Sequence, residues 1–163
     1  MKEVFNLYLN SKQSLEGASV STESLTFDLG SAHQNMPLLS QYANLSYCYV
    51  KLSYMAIGHN ANNLSSFSTM LVEMNSPQPC GARTNTAGGG LVSSNIIGLM
   101  PLATGNTHFF VNRDDYENEF VKVANIFKGL VNIQLKDEEG QLLTLFASNN
   151  YEMLLRVYFD DTC

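Results

Sequence analysis

Three histidines, three cysteines and one acidic run are the residues of this chain whose types could support catalysis or hold a metal. His33, His59 and His108 stand far apart, and none lies at a ligand spacing from another His or Cys. A zinc site built from Cys48, His59 and Cys80 would need the fold alone to bring them together, since metal motifs pair their ligands two to five residues apart. Loop or surface histidines are the plainer reading. The odd, widely spaced set Cys48, Cys80 and Cys163 contains no CxxC pair, so reduced thiols are expected rather than a disulfide framework.

Nucleophile motifs fail the same test. There is no GxSxG elbow, and Cys48 sits inside a strand-like run with no helix start beside it to stabilise a thiolate. The triple glycine Gly88-Gly89-Gly90 lacks the following Lys-Ser or Lys-Thr of a phosphate loop and reads as a loop. Asp114, Asp115, Glu117 and Glu119, in NRDDYENE, are the densest acidic cluster. Carboxylates on one loop can hold calcium, but their spacing does not match a helix-loop-helix calcium loop, and a solvated turn suffices. Asn44-Leu45-Ser46 and Asn63-Leu64-Ser65 match the glycosylation triplet, which a chain this rich in Asn and Ser produces by chance. No catalytic, cofactor-binding or metal-binding residue is therefore assigned, and an enzyme is not expected.

Composition points to contact with other proteins. Charged residues make up only 15% of the chain, below the roughly one quarter usual for soluble domains. A surface so lightly charged suits close contact. The net charge is -6, and the nine Lys and Arg residues are scattered, which argues against direct nucleic-acid binding because that affinity comes from clustered cations. The amino terminus, MKEVFNLYLN, is no basic arm. No apolar run approaches the roughly 20 residues of a membrane span, and the first thirty residues lack the pattern of a secretion signal, so a soluble protein made inside a cell is expected.

Strand-like segments run from end to end. VFNLYL places Val4, Asn6 and Tyr8 on one face and Phe5, Leu7 and Leu9 on the other; ESLTFDL sends Leu25, Phe27 and Leu29 inward. Asn44 to Ile57 reads as one long central strand carrying a bulge, packed on both sides over part of its length. FSTMLVEM, LVSSNIIGLM, THFFVN, EFVKVA, GLVNIQLK and YEMLLRVYF complete nine or ten candidates. Two prolines and four glycines make Asn75 to Gly90 a long loop. A hairpin is expected around Lys136 to Gln141, with IQL before it, LLTLF after it and Gly140 at a left-handed position. QYANL and EFVKVANIF could each contain a helical turn instead. Many short strands, almost no helix and one domain's length leave a sandwich or barrel spanning 1–163. Of the seventeen Tyr and Phe residues most should be core, with Phe109-Phe110 and the Tyr47, Tyr49, Tyr54 group as candidate interface anchors.

The stretch FKGLVNIQLKDEEGQLLTLFASNNYEMLLRVYFDD resembles the end of small capsid proteins of virophages and related polinton-like DNA viruses. The match rests on Ile133, Leu135, Asp137, Gly140, Leu142 and Leu143, then Leu154, Leu155, Val157 and Phe159. FNLYLNSKQSLEG, SLTFDL and CYVKLSYMAI resemble the opening of the same proteins. The resemblance implies an all-β, single jelly-roll β-sandwich of two packed antiparallel sheets, working as a penton or minor capsid protein in the virion, assembled inside the host cell. Its partners would be copies of itself, as a homopentamer or else a trimer, and a major capsid protein. The Asn75 to Gly90 loop and the first dozen residues are the expected flexible contact segments. The alternative is a binding module of the same fold, either a trimeric cytokine-like ligand or a carbohydrate-binding domain.

Overall fold

A computed structural model describes residues 3–30, 35–58, 69–75, 82–84, 90–102, 107–111, 120–145 and 148–160, with backbone alone for 82–84, 92–93 and 107–111. The described residues form eleven strands: β1 (Val4–Asn10), β2 (Ser24–Asp28), β3 (Tyr47–Gly58), β4 (Thr69–Asn75), β5 (Ala82–Thr84), β6 (Leu91–Ser93), β7 (Ile96–Pro101), β8 (Thr107–Val111), β9 (Val121–Ala124), β10 (Leu130–Lys136) and β11 (Tyr151–Tyr158). The described helical pieces are single turns at Ser11–Gln13, Pro37–Ser40 and Ile126–Lys128. None is long and apolar enough to cross a membrane.

The pairings fold the chain in half. Strand β1 pairs with β11, β2 with β10, β3 with β8 and β9, and β4 with β7, all antiparallel. Wrapping that doubled ribbon produces two sheets, β1-β11-β3-β8 with β9 also against β3, and β2-β10-β4-β7. This alternation of early and late strands is the jelly roll, so the protein is an all-β, single jelly-roll sandwich. Strands β8 and β9 take successive stretches of β3, Tyr54–Gly58 and Tyr47–Val50, and act together as one interrupted edge strand.

Period-two alternation puts the core where the sequence places it. Phe5 and Leu9 of β1 and Leu25 and Phe27 of β2 are buried, while Tyr8 and Asp28 face solvent. In β3 the inward set changes parity, from Cys48, Val50 and Leu52 to Met55 and Ile57. A register shift against β11 between Leu154 and Leu155 leaves Ser53 without a paired residue there and keeps apolar side chains inward on both sides of it. The bulged central strand is therefore as expected. Five of the seven methionines, Met55, Met70, Met74, Met100 and Met153, lie in the core, where their flexible side chains fill irregular space between the sheets.

Four expectations need correction. The stretch from Asn75 to Gly90 is not wholly loop, because Ala82–Thr84 pairs with Leu91–Ser93 in a separate two-stranded sheet. LVSSNIIGLM is two strands, β6 and β7, rather than one; Ser94 and Asn95 between them are buried, and the Asn95 carbonyl accepts from the Met74 amide. After the turn at Gly140, whose φ of 80° is the expected left-handed position, the described residues Leu142 to Leu145 form no strand: they make one isolated bridge, Lys136 to Leu142, with the Leu143 amide donating to the Leu135 carbonyl. The first dozen residues are no loose arm: Val4–Asn10 is paired along its whole length with β11, and Asn10 caps the turn that follows. Of the two suggested helical turns, one forms at Ile126–Lys128, held by the Asn125 side chain, which accepts from the Phe127 amide.

Candidate functional site

Cys48 is the candidate nucleophile whose surroundings are described. It points inward from β3, is fully buried, and its thiol donates weakly to the Ala124 carbonyl at 3.8 Å. Burial pushes the thiol up to about 12, from an ordinary 9.0. The buried Tyr151 phenol is raised in the same sense, chiefly by burial and secondarily by the Glu16 carboxylate.

Both groups have folded-state values above their unfolded ones, so their contribution is fully present below the unfolded value and is lost as pH rises. The unfolding free energy should therefore fall from pH 9 upward, with Cys48 contributing a slope approaching about 1.4 kcal/mol per pH unit until pH 12. Urea unfolding at pH 8 to 11 measures this, and Cys48→Ala should flatten the lower part of the decline.

Most of the other candidates fall outside the described residues. His33, His59, Cys80, Cys163, the acidic run Asp114, Asp115, Glu117 and Glu119, the Asn63 triplet, Gly88 and Gly89 lie outside the described residues, and His108, Phe109 and Phe110 are described by backbone only. Among the described residues no three His, Cys, Asp or Glu side chains could hold a metal ion together. Asn44 is exposed, in the turn before β3.

What the fold does assemble is an aromatic surface. The alternation that buries Cys48, Val50 and Leu52 turns Tyr47, Tyr49 and Lys51 onto the outer face of the β1-β11-β3 sheet. After the bulge, Tyr54 continues that face. Strand β11 adds Tyr158, β1 adds Tyr8, and Phe120 enters just before β9. Tyr49 and Tyr158 stack with centroids 4.8 Å apart and planes 4° from parallel, and Phe120 meets Tyr158 edge-on at 4.8 Å. The Lys51 ammonium lies 5.7 Å from the Phe120 ring centre, and Lys122 lies 4.5 Å from that of Tyr47. At the far end of the same face, Tyr8 donates to Glu152 at 2.8 Å and Tyr54 donates to its other oxygen at 3.5 Å. Desolvation and the Glu152 carboxylate together raise the Tyr54 phenol above its ordinary range.

The Tyr47, Tyr49, Tyr54 group named from the sequence is therefore on the surface and not in the core. Tyr8, Phe120 and Lys122 join it, and Tyr158 is buried against Tyr49 and Phe120; sequence reasoning did not pick these residues out. For Tyr8 a signal existed, since it shares the polar parity of β1 with Asn6; Phe120 and Tyr158 come beside β3 only through long-range pairing.

The second sheet presents a different outer face. Leu99 and Leu130 are 52% and 65% exposed among uncharged Asn132, Gln134, Ser24 and Thr26. Its edge strand β2 is guarded: the Thr26 amide donates to both oxygens of the Glu16 carboxylate at 3.1 and 2.9 Å, and the Thr26 carbonyl accepts from Leu15 at 2.8 Å. Two cavities open at the end of the sandwich where β3 begins. One, of about 330 Å³, is lined largely by apolar residues including Met74, Val123, Ile126, Leu130 and Val131. The other, of about 320 Å³, lies on the aromatic side against Tyr47, Tyr49, Lys122 and Asp160.

No family model matches the chain, and no curated protein matches it. Among solved structures it is similar to the cryo-EM structure of the giant freshwater prawn Macrobrachium rosenbergii extra small virus (XSV) VLP, at 8% identity. The alignment covers 99% of this chain and 81% of that one, with a TM-score of 0.28. So loose a likeness decides neither activity nor partner, and the functional reading rests on the chain itself.

Proposed function

We propose that this chain is a structural subunit of a viral shell, present in the virion and assembled inside the host cell, whose work is geometric rather than catalytic. The observation that carries this reading is a jelly roll that exposes large aromatic and apolar side chains on both outer faces, among them Tyr8, Leu99 and Leu130, in a chain with only 15% charged residues. Surfaces of that kind lose little on desolvation and gain from burial against a neighbour. A wedge-shaped sandwich using two different faces makes heterologous contacts, and these close into a ring when the rotation between copies permits.

Within that reading the chain is a vertex or minor shell protein, as in the virophage and polinton-like capsid proteins it resembles, contacting copies of itself and a major capsid protein. Light scattering on the purified chain, across concentration and salt, tests this. Closure into fives is the expected result. A stable trimer would move the chain away from the vertex, and a monomer at every concentration would overturn the self-assembly reading.

A further inference from the structure

The cavity on the aromatic side has walls made for a different kind of partner. It is bounded by Asn44, Leu45 and Ser46 from the turn entering β3, Tyr47 and Tyr49 from the outer face of β3, Lys122 from β9, and Asp160 just after β11. Its volume, about 320 Å³, is at the small end of the range for small-molecule sites, which suits a single ring rather than an extended chain.

The chemistry of this lining is mixed in a specific way. Two phenol rings offer flat, electron-rich faces. Around them stand a carboxylate that only accepts hydrogen bonds, an ammonium that only donates, and an amide and a hydroxyl that do both. A ligand matching this set has one face of C–H groups and a rim of hydroxyls that both donate and accept. A phosphate-bearing ligand fits poorly, because the single ammonium is offset by the carboxylate of Asp160. A purely apolar ligand would leave most of the polar lining desolvated and unsatisfied.

The two rings are also held before any ligand arrives. Lys122 sits 4.5 Å from the Tyr47 ring centre, and Tyr49 is stacked in parallel on Tyr158 at 4.8 Å. Side chains fixed in this way lose little conformational freedom on binding.

We propose that this pocket is a saccharide-binding site that takes one pyranose residue of a glycan, its C–H face on the tyrosine wall and its hydroxyls on Asp160, Asn44 and Ser46. The proposal goes beyond the shell role and does not depend on it, since glycan binding and self-association are read separately. Repeated on an assembled ring, weak single sites would act with raised avidity.

The test is a glycan array probed with the full-length chain, followed by saturation-transfer NMR on the best ligand. Tyr47→Ala and Asp160→Asn should each weaken binding about tenfold or more, while Tyr47→Phe, which keeps the ring and removes the hydroxyl, retains it. Asp160→Asn lies outside the core, and an unchanged melting temperature with lost binding would support the site directly. An array with no bound glycan, or binding that persists undiminished in both Tyr47→Ala and Asp160→Asn, would overturn the proposal.

Discussion

Gly98→Ala should destabilise the sandwich by about 2 kcal/mol, although it adds one methyl group. Gly98 lies on β7 opposite Val72, on the inner face of its sheet. A Cβ there would stand 2.4 Å from Leu52 Cδ2 and 2.9 Å from Leu52 Cβ, and Leu52 is buried on β3 in the opposite sheet. The second distance decides the magnitude. A rotamer change could move the tip of Leu52, but its Cβ moves only with the backbone of the central strand, so the sheets must separate locally. Chemical unfolding of the single variant measures the loss. In Gly98→Ala/Leu52→Gly the added methyl enters space vacated by the whole leucine side chain, Cβ included, so the double variant should be more stable than the sum of the two single losses predicts. Additive losses would show that the close approach at Gly98 is not what limits packing there.

Lys136→Met should cost about 3 kcal/mol, because it removes one partner of a largely buried ion pair. Lys136 Nζ lies 2.5 Å from Glu73 Oε2, and both side chains are largely covered, at 14% and 8% exposure. Ser94 donates to the other Glu73 oxygen at 2.5 Å. Methionine keeps the aliphatic stem of the lysine and removes only the ammonium, which takes one positive charge from beside a carboxylate in a nearly dry position. The cost comes from that less compensated charge more than from the attraction lost. Glu73→Gln in the same chain should therefore recover most of the stability, since the amide can still accept from Ser94 without being charged. Thermal and urea unfolding of the single and double variants check this. A double variant as unstable as Lys136→Met would assign the loss to packing instead.

The legible part of this fold is the part encoded within a few residues. Alternation in VFNLYL and ESLTFDL placed Phe5, Leu9, Leu25 and Phe27 in the core, because a strand repeats every two residues and a one-residue slip would expose its whole apolar set. The length of the Asn44 to Ile57 run pointed to a bulge, which the register shift beside Leu154 supplies. Gly140 was readable as a left-handed turn position, since Asp137-Glu138-Glu139-Gly140 is strong turn chemistry. Where tertiary contacts override local preference, the reading failed. Ala82–Thr84 is a strand because β6 pairs with it, despite flanking glycines and prolines. LLTLF has a strand's composition, but its described residues make only the isolated bridge at Leu142 and no strand.

The candidate site shows the same division more sharply. By itself the sequence determined which way each side chain of a strand points, how little charge the surface carries, and that its reactive residue types stand at no catalytic or metal-binding spacing. Only the tertiary structure decided which outward residues meet. Tyr8 and Glu152 are 144 positions apart, yet they share a hydrogen bond because β1 and β11 are partners in the wrapped ribbon. Tyr47, Tyr49, Lys122 and Asp160 come to one cavity by the same kind of pairing, across β3, β9 and β11. A two-residue period fixes the face of a strand but carries no information about its neighbour. The neighbour is set by burying both inner faces at once, a condition that belongs to the whole chain.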